Sequence, residues 1–226
     1  MKLLALDTAT EACSAAVWVD GAVLERHKLT PRRHAALILP MLEAVLAEAG
    51  LSIKQLDAIA VGRGPGAFTG VRIAIGIAQG IAFAADLPVA PISTLAALAL
   101  GAAREFGHSH IAAALDARMG EVYWGAYAVA GNTVDLLGEE RCCPATLVTA
   151  PPGDWFGTGS GWLTYSEALA QRLTVKRWQG DRYPHAGDVA RLAADPARRS
   201  DWVSADQALP VYLRNQVAKR LAEHSR

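Results

Sequence analysis

An excess of charge of either sign is missing from this chain. Lysine plus arginine and aspartate plus glutamate number 22 each, so the formal net charge is zero. That argues against a free-standing nucleic-acid binder held by a broadly basic surface, and leaves RNA contact inside a complex open. Cysteine is scarce and odd in number: Cys13, Cys142 and Cys143, two of them adjacent. No disulfide framework follows from such a set. No long uninterrupted apolar run suggests a membrane span. The N-terminal MKLLALDTATEA meets Asp7 after only four apolar residues, so it does not read as a signal peptide. The expectation is a reduced, cytoplasmic protein with no membrane contact.

Several chemical signatures are absent as well. No Gly-Lys-Ser/Thr follows the glycine-rich stretch, and there is no clean dinucleotide fingerprint. Ser160 has Gly159 directly before it but no glycine two residues after, so it fails the nucleophile-elbow pattern. The histidines are His27, His34, His108, His110, His185 and His224, and no third ligand stands near the His108/His110 pair. No metal site is expected.

What is present is a 226-residue chain, 52% hydrophobic and 19% charged, long enough for one large domain or two lobes with their own cores. Its most distinctive stretch is Gly62 to Gly80, GRGPGAFTGVRIAIGIAQG. Gly62, Gly64, Gly66 and Gly70 can take backbone angles closed to other residues, and Thr69 is placed to cap the helix that follows. Such a loop either offers backbone N–H groups to a phosphate or is simply a tight strand-to-helix turn. In the helix, Ile73, Ile77 and Ile81 form one row, Gly76, Gly80 and Ala84 a second, and Ala74, Ala78 and Ala82 a third. A helix apolar all round must be covered all round. The helix from His34 to Ala49, with Leu37, Met41, Leu42 and Val45, is also more apolar than one sheet face can cover, and Pro40 is expected to delay or bend it.

Read in order, the first half gives strands at Lys2–Leu6, Cys13–Val19, Ala22–Leu29, Asp57–Val61 and Pro88–Ile92. Asp20-Gly21 forms a hairpin turn, and Ser93 or Thr94 caps a third helix. The second half reads as a worn copy: Ile111 to Asp116 echoes Leu3 to Asp7, and Gly157-Thr-Gly-Ser-Gly161 echoes the loop at Gly62. Further strands are read at Glu121–Val129, Thr133–Leu137 and Val175–Trp178, a helix at Asp188–Ala194, and loop over Pro196–Ser204. Pro210 to Arg214 reads as extended, and the polar residues from Lys219 onward as frayed. The expected division is an N-terminal lobe over 1–107 and a C-terminal lobe over 108–226.

Two duplicated β-β-β-α-β-α lobes, each with an aspartate after its first strand, resemble the actin/sugar-kinase/Hsp70 (ASKHA) class, an α/β fold with a mixed sheet and flanking helices in each lobe. LALDTATEACS (Leu4 to Ser14), RRHAALILP (Arg32 to Pro40), GRGPGAFTGVRIAIGIAQG, LDARMGEVYW (Leu115 to Trp124), GTGSGW (Gly157 to Trp162) and PVYLRN (Pro210 to Asn215) together resemble the bacterial TsaB (YeaZ) family. These motifs run in order along nearly the whole chain.

The resemblance implies a non-catalytic partner subunit, not an enzyme. Its implied partners are the catalytic subunit TsaD and the ATPase TsaE, with a homodimer when it stands alone. Its implied task is forming threonylcarbamoyladenosine at adenosine 37 of tRNAs that read ANN codons, with tRNA met through the complex. TsaD carries a His-x-x-x-His pair on the helix after the fifth strand, and Ile92 to Leu100 has no histidine. The alternative is a free-standing ATP-dependent enzyme or a glycoprotease-like hydrolase of the same fold. The class also implies a vestigial nucleotide or phosphate site at Asp7, Thr8, Gly64, Gly66 and Asp116. From the residues alone, Asp7 with Thr8 equally suits a turn cap and Asp116 with Arg118 a hairpin-end ion pair. Arg32, Arg33 and His34 suit either a partner contact or a solvated helix start. The expected partner surface is Leu37, Met41, Leu42, Val45, Ile73, Gly76, Ile77, Gly80 and Ile81.

Overall fold

The computed structural model describes residues 1–214. Asn215 of the PVYLRN motif and the expected frayed end lie outside the described residues. The first half builds a five-stranded sheet from β1 (Lys2–Asp7), β2 (Ala12–Val19), β3 (Ala22–Leu29), β4 (Ala58–Gly62) and β5 (Val89–Ile92), in the order β3-β2-β1-β4-β5. β1, β2 and β3 are antiparallel neighbours, joined at the second turn by Asp20 and Gly21, both at positive φ. β4 and β5 run parallel to β1.

The second half repeats this plan. β6 (His110–Arg118), β7 (Glu121–Ala130), β8 (Thr133–Leu136), β10 (Trp155–Thr158) and β11 (Val175–Gln179) lie in the order β11-β10-β6-β7-β8. Again three antiparallel strands are followed by two parallel ones. β9 (Arg141–Pro144), which pairs with β7, is the addition. The sequence reading did not find it, because four residues around Cys142-Cys143 carry no alternation of apolar and polar positions. Both sheets thus begin with a central strand that delivers an aspartate to its C-terminal end, as the ASKHA resemblance implies.

Five helices complete the layers. α1 (His34–Glu48) and α2 (Phe68–Ala85) cover one face of the first sheet. α3 (Thr94–Phe106) and α5 (Ala186–Ala194) lie between the two sheets, and α4 (Ser160–Arg172) covers the far face of the second. The central pair crosses over: α3 follows the first sheet in sequence but packs on β6 and β7, whereas α5 packs on β1 and β2. Small residues make this possible. Ala5, Ala16, Ala58 and Ala60 face the interior between the sheets, opposite Ala186, Ala190 and Ala193 of α5. The alternate residues of the same strands, Leu4, Leu6, Val17 and Ile59, are larger and pack beneath α1 and α2. The period of two along each strand assigns one set to each core.

Local signals behaved unevenly. Ser93 caps α3, its hydroxyl accepting from the Ala96 N–H at 3.2 Å. Thr69 does not cap α2. The helix begins at Phe68 with Ala67 in the capping position, because the Ala67 N–H is already donated to the Ala9 carbonyl at 2.7 Å. α1 runs from His34 through the exposed Pro40 without a break. Pro196–Asp201, read as loop, is a short 3-10 helix.

Candidate functional site

Asp7 turns inward at the end of β1 and is only 1% exposed. One carboxylate oxygen accepts from the Ala9 N–H at 2.8 Å, and the other from the Thr94 hydroxyl at 3.4 Å. A Cβ on Gly62 would stand 1.8 Å from that second oxygen, so the glycine makes room for the carboxylate. Burial pushes Asp7 up from 3.8 to about 6, against the lowering effect of the Ala9 N–H, Thr94 and the charge of His185.

The glycine loop is the socket for the turn after β1. The Thr8 hydroxyl donates to the Gly70 carbonyl at 2.7 Å. A Cβ on Gly70 would lie 2.1 Å from the Thr8 carbonyl oxygen, and one on Gly66 2.3 Å from that of Ala9. Gly64, at φ +95°, would meet the Val211 carbonyl oxygen at 2.9 Å. Asp7, Thr8, Gly64 and Gly66 therefore all lie at this turn, and their close approaches are made to Gly62, Gly70, Val211 and Ala9 in turn. This is the geometry of the tight strand-to-helix turn.

Asp116 sits at the corresponding end of β6. Its carboxylate accepts from the Arg118 backbone N–H at 2.7 Å, pairs with the Arg118 guanidinium at 2.9 Å, and accepts from the Tyr165 hydroxyl at 3.3 Å. Its own N–H donates to the Ser160 hydroxyl at 3.0 Å. The second glycine loop repeats the packing of the first, since a Cβ on Gly159 would lie 2.4 Å from the Ala114 carbonyl oxygen. An ion pair between Arg118 and Glu11, 3.4 Å apart, links the two aspartate turns. Among the described residues, no group of three or more His, Cys, Asp or Glu side chains is placed to hold a metal ion.

The end of the described chain ties these parts together, which the sequence reading did not foresee. The Val211 N–H donates to the Arg63 carbonyl at 2.8 Å, and Gln79 of α2 donates to the Ala208 carbonyl at 3.0 Å. Tyr212 lies beside Phe68, with the Arg72 guanidinium 3.2 Å from the Phe68 ring centre. Arg214 then donates to the Ala117 carbonyl at 2.8 Å and pairs with Glu121. Only the extended character of PVYLR was legible beforehand.

On the outer layer, one row of α2 is committed to the chain's own sheet: Ala74, Ile75, Ala78 and Ala82 are buried there. By length and composition alone α2 could cross a membrane, but that face is packed in the core, and 33% of its residues are buried. Gly76 and Gly80 are exposed, with nothing within 4 Å of a Cβ added at either. Phe83 is 85% exposed and Phe68 59%. Ile73, Ile77, Ile81, Leu37 and Met41 are half-buried at the edge of the core. Leu42 and Val45, expected at the partner surface, are instead buried beneath α1, because the face carrying Ile38, Leu42 and Val45 is the one turned to the sheet.

The TsaD family model, described as tRNA N6-adenosine threonylcarbamoyltransferase, matches residues 27–159. The tRNA threonylcarbamoyladenosine biosynthesis protein TsaB of Escherichia coli is 42% identical, covering 96% of both chains. Its counterpart in Haemophilus influenzae is 40% identical over 96% of this chain and 95% of its own. The chain belongs to the TsaB family. The solved structure of YeaZ from Pseudomonas aeruginosa superimposes with a TM-score of 0.89 at 50% identity, covering 94% of this chain and 99% of that one. Family membership fits the duplicated ASKHA architecture, with an aspartate toward the end of the first strand of each sheet.

Proposed function

We propose that the chain acts in tRNA threonylcarbamoyladenosine formation as a non-catalytic partner subunit. In this reading it supports a TsaD-like catalytic subunit and a TsaE-like ATPase that modify adenosine 37 of tRNAs reading ANN codons in the cytoplasm. The observation that carries the reading is the outer face of α2. An 18-residue apolar helix is packed on its own sheet by one row and presents Gly76, Gly80 and Phe83 to the outside. An apolar face of that length marks a protein interface, and exposed glycines let a second helix approach closely. The enclosed aspartate supports the non-catalytic part: Asp7 is 1% exposed, and its carboxylate accepts from the Ala9 N–H and the Thr94 hydroxyl.

The test is complex formation with the TsaD-like subunit of the same organism, followed by size-exclusion chromatography with light scattering. A one-to-one complex from the native chain, lost in Gly76→Asp with the monomer's melting temperature intact, is expected. A Gly76→Asp chain that binds as well as the native one overturns the interface.

A further inference from the structure

The outer face of α2 carries a single charge. Arg72 is the only charged residue among the 18 of this helix, and it shares an exposed stripe with Phe68, Gly76 and Phe83. Its guanidinium lies 3.2 Å from the centre of the Phe68 ring and 5.0 Å from that of Tyr212, and the two rings stand 5.6 Å apart. Both rings are themselves exposed. Tyr212 belongs to a segment fixed against the helix: the neighbouring Val211 N–H donates to the Arg63 carbonyl at 2.8 Å, and the Ala208 carbonyl accepts from Gln79 of α2 at 3.0 Å. Arg72 has no ion pair among the described residues.

An exposed cation on a ring is a modest gain for the chain alone. It explains where the arginine rests, but not why the charge and both rings are left open beside Gly76 and Phe83. A guanidinium held against a ring still offers N–H donors in a fixed fork, which suits a carboxylate. Covering this stripe with a partner takes water from Arg72, and a charge buried without a counter-charge is strongly unfavourable. The partner has to bring the anion. We propose that Arg72, steadied by Phe68 and Tyr212, receives an aspartate or glutamate side chain of the TsaD-like catalytic subunit, so that residues 209–212 belong to the partner surface along with α2. This rests on the partner-subunit reading above. The TsaD family model matches the span that holds α1 and α2, so a TsaD-like partner is related over these helices. A second copy of this chain is the competing occupant. The anion it offers is Asp86, exposed at the C-terminal end of α2 and also without an ion pair among the described residues.

Isothermal titration calorimetry of the full chain with the catalytic subunit tests this, with light scattering of the chain alone beside it. Arg72→Ala is expected to weaken binding about thirtyfold or more, as loss of one member of a covered charge pair does. Arg72→Glu should weaken it further, and Arg72→Lys should fall between the native chain and Arg72→Ala, because lysine keeps the charge and loses the fork. Tyr212→Ala should weaken binding several-fold. Both side chains reach the surface, so the melting temperatures of these variants should stay near the native value. If Arg72→Glu binds the catalytic subunit as the native chain does while Gly76→Asp does not bind, the carboxylate contact is overturned and the partner-subunit reading stands. If the native chain binds no catalytic subunit, that reading fails and this inference with it. If Arg72→Glu and Asp86→Arg each abolish self-association but leave binding to the catalytic subunit unchanged, the anion belongs to a second copy and the proposal is overturned.

Discussion

Asp7 is the residue on which the two readings of this fold divide. A carboxylate kept for a ligand faces open space, whereas this one is enclosed by Gly62, Ala9 and Thr94. Its pKa, raised by burial to about 6, means that the folded chain holds a proton which the unfolded chain has released between pH 3.8 and 6. Asp7 therefore favours folding most at low pH, and that contribution is lost as pH rises through 6. Asp7→Asn keeps an acceptor for Ala9 and offers a donor to Thr94. It should stabilise the chain by about 3 kcal/mol at pH 8 and by almost nothing near pH 4. Melting temperatures of both proteins across this range decide the matter, and a gap that fails to widen with pH contradicts the burial argument. The neighbouring glycines respond in the opposite sense. Gly70→Ala drives a Cβ to 2.1 Å from the Thr8 carbonyl oxygen, and should cost about 1–3 kcal/mol by urea unfolding. A neutral Gly70→Ala would mean that the loop is not seated on the turn.

Element by element, the sequence disclosed most where a period was long or a cap was local. The strands of the first sheet, the Asp20-Gly21 hairpin and the Ser93 cap were all legible, because each depends on residues adjacent in the chain. The outward side of α1 was not. Leu37, Met41, Leu42 and Val45 are equally apolar, and only the sheet beneath decides that Leu42 and Val45 turn in. α2 was ambiguous for the same reason, having three small or apolar rows and almost no polar marker. The structure separates them, so two substitutions of like chemistry should differ. Ala78→Asp places a charge in the core and should unfold the chain or cost several kcal/mol. Gly76→Asp meets open space and should leave monomer stability within about 1 kcal/mol. Circular dichroism melts of the two variants test this, and equal destabilisation would contradict the assignment of rows.

Across the whole molecule, the two halves are locked by groups that no sequence pattern connects. His185, at the start of α5, donates through Nδ1 to the Glu25 carboxylate of β3 at 3.1 Å and is stacked on His27 at 4.0 Å. Glu25 also accepts from the Gly187 N–H at 2.9 Å, and Ser14 accepts from the Ala186 N–H at 3.0 Å. Burial opposes the charged form of both partners. The hydrogen bond and mutual charge outweigh it, so His185 is raised and Glu25 lowered. The histidine's contribution is present below its unfolded pKa of 6.5 and is lost as pH rises through its higher folded value. The glutamate's is present above 4.5 and is lost as pH falls through its lower one. The junction is therefore strongest between about pH 4.5 and 6.5. Glu25→Gln should lower stability most in that window, by about 1 kcal/mol, with a smaller deficit at pH 8. A deficit that grows toward pH 8 would contradict the ion pair.

The central claim concerns the molecule as one member of an assembly: the chain is needed for tRNA modification without performing it. The direct measurement is threonylcarbamoyladenosine formed on tRNA by purified TsaD-like subunit, TsaE-like ATPase and the threonylcarbamoyl donor, with and without this chain. The account predicts product only when this chain and the catalytic subunit are both present, and undiminished product when Asp7→Asn replaces the native chain. Product formed by this chain without the catalytic subunit, or full activity in its absence, would contradict it.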